Sequence, residues 1–271
     1  MRLVKQLVVV GAASLVGSLA VGAVGGNPVL TLVLGVATAV LVIFAYRWVV
    51  RRTERRAVDE LSRPGAASAV GRGVVLGIAL FAAVIAVIAL FGGYEVDGWG
   101  SASGAVTLLG FSIGAAVTEE VVFRGVLFRI VEERLGTWLG LVLTGLLFGL
   151  MHLFNENATL WGALAIAIEA GGMLGAAYVA TRRLWLPIGL HLGWNFAEAG
   201  IFGTIVSGKD EAHGLLDATV SGSTLLGGGD FGPEASLAAV VAGVLVTVVF
   251  MRLAYRRGNV RPRRAAVTVA P

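Results

Sequence analysis

Residues 105–129 read AVTLLGFSIGAAVTEEVVFRGVLFR. Their first nineteen, 105–123, make an apolar run of the length that crosses a bilayer as a helix, yet they hold Glu119 and Glu120 near one end, with Arg124 just beyond. Charges at bilayer depth are costly, so helices that keep them turn them toward a bundle interior or a cavity. The run reads as one helix of a membrane bundle whose two carboxylates line a cavity or take part in chemistry.

The rest of the chain agrees. Of its 271 residues, 57% are hydrophobic and 14% charged, and the mean hydropathy of +0.86 excludes an ordinary soluble domain. Apolar stretches fall near residues 6–24, 29–46, 73–91, 105–123, 138–154, 160–180, 185–205 and 236–255. The expected fold class is therefore all-α, a polytopic membrane protein of about eight transmembrane helices in one bundle, forming a single domain over 1–271. The 53–67 stretch TERRAVDELSRPGAA reads as a polar linker and the Gly-rich 206–235 as a loop without regular structure. With no Cys, disulfides, Cys-ligated zinc and thiol catalysis are excluded.

The sequence pI near 10.0 does not call for nucleic acid as a partner. The cations gather at one set of helix ends: Arg2 and Lys5, Arg47 to Arg72, Arg124 to Arg134, Arg182 and Arg183, and Arg252 to Arg264, with Lys209 the exception. The opposite segments hold acids, among them Glu95, Asp97, Asp210, Glu211, Asp217, Asp230 and Glu234. By the positive-inside rule both termini are cytoplasmic, and the partner of the surface is the lipid bilayer. The first span has the look of a signal peptide, but its length and the closely following second span favour an uncleaved helical hairpin. Gly pairs four apart, at Gly110 and Gly114, Gly136 and Gly140, Gly145 and Gly149, and Gly171 and Gly175, predict close helix approach.

Three polar pairs stand at i, i+4 spacing, each on one helix face: Glu120 with Arg124, Phe148 with His152, and His191 with Asn195. Glu119 is rotated about 100° from Glu120 and lacks a cation on its own face. A carboxylate of that kind suits a general base that takes a proton from water. His152 can share that proton or hold the water, and His191 with Asn195 offers donors for a developing oxyanion. Glu119 precedes Gly136 by 17 residues and His152 follows it by 16, so in an antiparallel hairpin the two come level, about 25 Å from the turn. His191 follows Arg182 by nine residues, only about 13 Å of helix. It reaches the same depth if the hairpin projects into the cytosol or if the preceding helix breaks at Gly171 and Gly172.

The set EExxxR, FxxxH and HxxxN, present as TEEVVFRG, FGLMH and HLGWN, resembles the CAAX-protease and bacteriocin-processing (CPBP) family of intramembrane proteases, which includes type II CAAX prenyl endopeptidases. The resemblance covers about residues 105–205. It implies a hydrolase of the glutamate or metalloprotease type in a prokaryotic plasma membrane, acting on membrane-associated peptides or proteins. It assigns Glu119 as the water-activating group with His152 as partner, His191 and Asn195 to the oxyanion, and Glu120 and Arg124 to support. Either no cofactor is needed, or zinc is held by Glu119, His152 and His191 with a position left for water.

Two readings from other classes compete. Glu119, His152, Glu169 and His191 would also serve as a proton or cation relay in a carrier, and a non-catalytic immunity or scaffold protein would need none of them for chemistry. Glu198 shares a face with His191 and Asn195 and reads as support to them, Glu169 as a cavity or packing group, and His213 as solvated.

Overall fold

The computed structural model describes residues 1–209 and 213–263; Asp210, Glu211 and Arg264 lie outside them. Helix α1 (Arg2–Ala23) turns back through Gly26 into α2 (Pro28–Glu54). Asn27 caps α2 by accepting from the Leu30 N–H, and Pro28 occupies the first helical position, where its missing N–H costs nothing. Next come α3 (Ala66–Leu90), a strand β1 (Tyr94–Trp99) and α4 (Ala102–Glu120), which is capped by Ser101. Without interruption α4 widens into π-helical turns over Val121–Phe128 and runs on into α5 (Arg129–Met151). The chain reverses within α5 at Gly136, whose φ of 78° suits glycine.

Beyond that turn lie α6 (Leu160–Ile166), a π-helical stretch Ala167–Gly172 and α7 (Met173–Thr181), which form one rod. Then α8 (Trp185–Asn195) widens into Phe196–Ile201, and after β2 (Leu216–Val220) and the short α9 (Thr224–Gly227), α10 (Leu237–Arg256) completes the bundle. Among the described residues, six helices are long and apolar enough to cross a membrane; one of them, Ala102–Phe154, contains the Gly136 reversal. Counted as rods, α1, α2, α3, α4 with the first part of α5, the rest of α5, α6 with α7, α8, and α10 make eight.

The fold is mostly rather than wholly helical. β1 and β2 pair antiparallel, from Tyr94 opposite Val220 to Trp99 opposite Leu216, with a bulge between Val96 and Gly98. The Gly-rich 206–235 segment thus carries regular structure, stabilised by a strand more than a hundred residues away in sequence. Local composition cannot reveal a partner so distant.

Small residues set the helix spacing. A side chain on Gly73 or Gly77 of α3 would meet the backbone of α8, and one on Gly189 or Gly193 of α8 would meet the backbone of α3. Gly35 of α2 meets Gly110 of α4 in the same way, and Gly149 of α5 meets Ala163 of α6. Helix α7 is buried all round from Met173 to Ala180 and forms the centre. Large apolar side chains such as Leu15, Leu19, Phe44, Leu245 and Val249 lie exposed on α1, α2 and α10, as a lipid-facing surface requires.

An ionic network binds the helix ends on the Gly136 side. Arg129 donates to both oxygens of Glu54, at 2.8 and 2.7 Å, and to Gln6 at 3.0 Å. Arg182 donates to both oxygens of Glu132, at 2.5 and 2.9 Å. The Glu132 oxygen that takes the 2.9 Å bond also accepts from the Thr137 hydroxyl at 2.6 Å, so the turn between α7 and α8 is tied to the helix end beside Gly136. His191 nevertheless reaches Glu120, at 3.0 Å. The rod of α6 and α7 widens at Ala167–Gly172 but does not break.

Candidate active site

Four rods, those of α4, the second part of α5, α6 with α7, and α8, converge on one cleft, lined among others by Glu119, Phe148, His152, Glu169, His191 and Asn195. All three motifs read from the sequence therefore meet. Glu120 is fully buried, and one of its oxygens, Oε1, accepts from Arg124 Nη1 at 2.7 Å and from His191 Nδ1 at 3.0 Å. The i, i+4 pair predicted on α4 is present, but it also reaches across to α8. Arg124 is buried as well, donating through Nη2 to the Ala170 carbonyl at 2.9 Å, with its guanidinium 4.8 Å from the Phe148 ring centre. Opposite charge, a carbonyl and an aromatic face together offset the loss of water around this cation.

Glu119, rotated away as expected, keeps 28% of its side chain exposed, with Oε2 3.9 Å from His191 Nε2. Its nearest partner is thus a histidine on α8. His152 Nδ1 lies 2.8 Å from the Phe148 carbonyl and the two rings stand 4.9 Å apart, tilted by 55°. A carbonyl only accepts, so Nδ1 of His152 carries the proton; the carboxylate that pairs with Arg124 likewise only accepts, so Nδ1 of His191 does too. In its neutral form each imidazole then offers Nε2 as a free lone pair.

The backbone around these groups departs from regular α geometry. π-helical turns follow directly after Glu120, contain Glu169 and follow directly after Asn195. Such turns re-aim side chains by one extra residue per turn and recur at functional sites.

Reading the sequence missed part of the lining. Ser207, Lys209 and Glu234 enter from the 206–235 segment, and Trp194 from within HLGWN. Glu234 accepts from Trp194 Nε1 at 3.1 Å and from the Ser207 hydroxyl at 2.5 Å. Only the adjacency of Trp194 to Asn195 was available as a signal. Glu169 lines the cleft, while Glu198 is fully buried beside Glu234 and does not line it. His213 is exposed.

Among the described residues, no three His, Asp or Glu side chains are grouped to hold a metal ion. Glu119, His152 and His191 share the cleft but do not form a ready ligand set for zinc.

Residues 101–197 match the sequence profile of the family described as Type II CAAX prenyl endopeptidase Rce1-like. A relative from Bacillus subtilis (strain 168), "Putative membrane peptidase YdiL", is 27% identical over 84 residues, covering 31% of this chain and 32% of that protein. The matched region spans about a third of the relative's length. No solved structure gives a significant match.

Proposed function

We propose, from the premise that the core of this chain at residues 101–197 belongs to the Rce1-like type II CAAX prenyl endopeptidase family, that the protein hydrolyses peptide bonds of membrane-associated peptides or proteins inside its helical bundle. The observation that carries the reading is the shared oxygen of Glu120, which joins Arg124 and His191 and brings α8 to the cleft edge where Glu119 stands.

Water bound between Glu119 and Nε2 of His152 gives up a proton to Glu119. The hydroxide adds to the scissile carbonyl carbon, and the charge that develops on its oxygen is met by the Asn195 amide N–H and by Nε2–H of His191 in its protonated form. When the tetrahedral intermediate collapses, the proton on Glu119 passes to the leaving amine. Glu120 and Arg124 hold His191 in place and do not touch the reacting atoms. The basic helix ends around Gly136, with both termini, face the cytoplasm.

The test uses protein purified in detergent and a panel of membrane-tethered peptides, with and without chelator. Wild type is expected to cleave at least one peptide, and Glu119→Ala and His152→Ala to lose that turnover while keeping their thermal transitions. Near wild-type rates in both variants would defeat the mechanism.

A further inference from the structure

The mechanism above leaves a set of carboxyl groups unused. Glu169 is fully buried, lines the catalytic cleft, and has no hydrogen-bond partner at either oxygen. Glu234 lines the same cleft, and Glu198, also fully buried, lies beside it. Buried carboxyl groups without donors are costly, and a folded chain retains them where something else supplies the donor. The charge balance of the lining says what that is. Glu119, Glu169 and Glu234 line the cleft, and Lys209 is the one Lys or Arg among the described lining residues. The side chains are not grouped to hold a metal. A bare ion would need them to converge, whereas an ammonium or guanidinium carries several N–H donors and satisfies acceptors that stand apart.

The geometry points to a subsite for a basic side chain of the substrate: Glu169, with Glu234 in the same cleft, receives a Lys or Arg that lies close in sequence to the bond being cut. This rests on the endopeptidase reading, because Glu169 lines the same cleft as Glu119. Glu169 touches the neighbouring side chain, not the scissile bond, so it sets specificity without entering the chemistry.

The experiment compares peptide pairs that differ by Arg against citrulline at single positions on either side of the cleaved bond, with the wild type and with Glu169→Gln. At one position the wild type is expected to favour Arg by about tenfold or more in kcat/KM, as a hydrogen-bonded charge in a desolvated site would give. Glu169→Gln is expected to remove that preference, bringing the Arg and citrulline peptides to equal kcat/KM. Equal rates for both peptides in the wild type, or a preference that survives the substitution, would overturn the subsite while leaving the hydrolytic reading intact. Should no peptide be cleaved at all, the thermal transition in the presence of agmatine, a free guanidinium probe, decides independently. A rise in wild type that is absent in Glu169→Gln supports the subsite, and no rise in wild type overturns it. If Glu169→Gln does not fold, Glu234→Gln takes its place in each arm, since a glutamine there still accepts from Trp194 through its oxygen and its amide N–H can donate to the Ser207 hydroxyl.

Discussion

His191 Nδ1 stands 3.0 Å from Glu120 Oε1, the oxygen that Arg124 already approaches at 2.7 Å, while Oε2 of the same carboxylate has no partner. One buried oxygen therefore serves two donors from two helices. The arrangement fixes the proton on Nδ1 of His191 and ties α4 to α8, so Glu120 positions chemistry that it does not perform.

Glu120 and Arg124 are expected to be strongly coupled. Removing one partner of a buried pair strands the other and typically costs about 3–5 kcal/mol. A double-mutant cycle on thermal stability in detergent, with Glu120→Gln, Arg124→Gln and the double variant, should show the double change costing less than the sum of the singles. Simple additivity would mean that the side chains do not meet.

Asn195→Ala should act on the rate constant. A donor aimed at the oxyanion works in the transition state, and loss of one such donor typically lowers kcat by about 10²- to 10³-fold with little change in KM. Steady-state kinetics on any cleaved peptide checks this, and a change confined to KM would make Asn195 a binding residue instead.

What could be read in the sequence was whatever helical periodicity carries. Glu120 with Arg124 and Phe148 with His152 are one turn apart, so their contacts follow from spacing alone. The His191 contact to Glu120 spans 71 residues and has no local sign. Depth arithmetic also left His191 open between a hairpin that projects into the cytosol and a helix broken at Gly171 and Gly172, and the rod of α6 and α7 widens there without breaking. The Gly-rich 206–235 segment hid most, since the donor from Ser207 to Glu234 and the strand opposite β1 both arise from long-range packing.

The glycine seam between α3 and α8 yields a paired test. In α8, Gly193 lies between His191 and Asn195, and a Cβ there would strike the backbone of Val74. Gly193→Ala should force the two helices apart, costing about 1–3 kcal/mol as overpacking does, and should reduce turnover by displacing both site residues. Gly71 of α3 has nothing within 4 Å of an added Cβ, so Gly71→Ala should hold or slightly raise the melting temperature through helix propensity. Equal effects of the two substitutions would remove the seam as the element that places α8.

Acid should weaken the helix-end network through Glu60, which sits in the turn between α2 and α3 with 5% of its side chain exposed. Burial alone would raise its carboxyl pKa, but hydrogen bonds from Arg56, at 2.9 and 2.7 Å, and from the Tyr46 hydroxyl outweigh it and hold the group below its ordinary 4.5. The sign follows from linkage. Above 4.5 the carboxylate is ionised in folded and unfolded chains alike and its stabilisation is complete. As pH falls toward the folded value the unfolded chain takes up the proton first, and the stabilisation drains away. Melting curves in detergent from roughly pH 7 to pH 3 should therefore show wild type more stable than Glu60→Gln at neutral pH, with the gap narrowing below about pH 5. A gap that stays constant across the range would mean that the Glu60 charge contributes nothing to tying this turn to Tyr46 and Arg56.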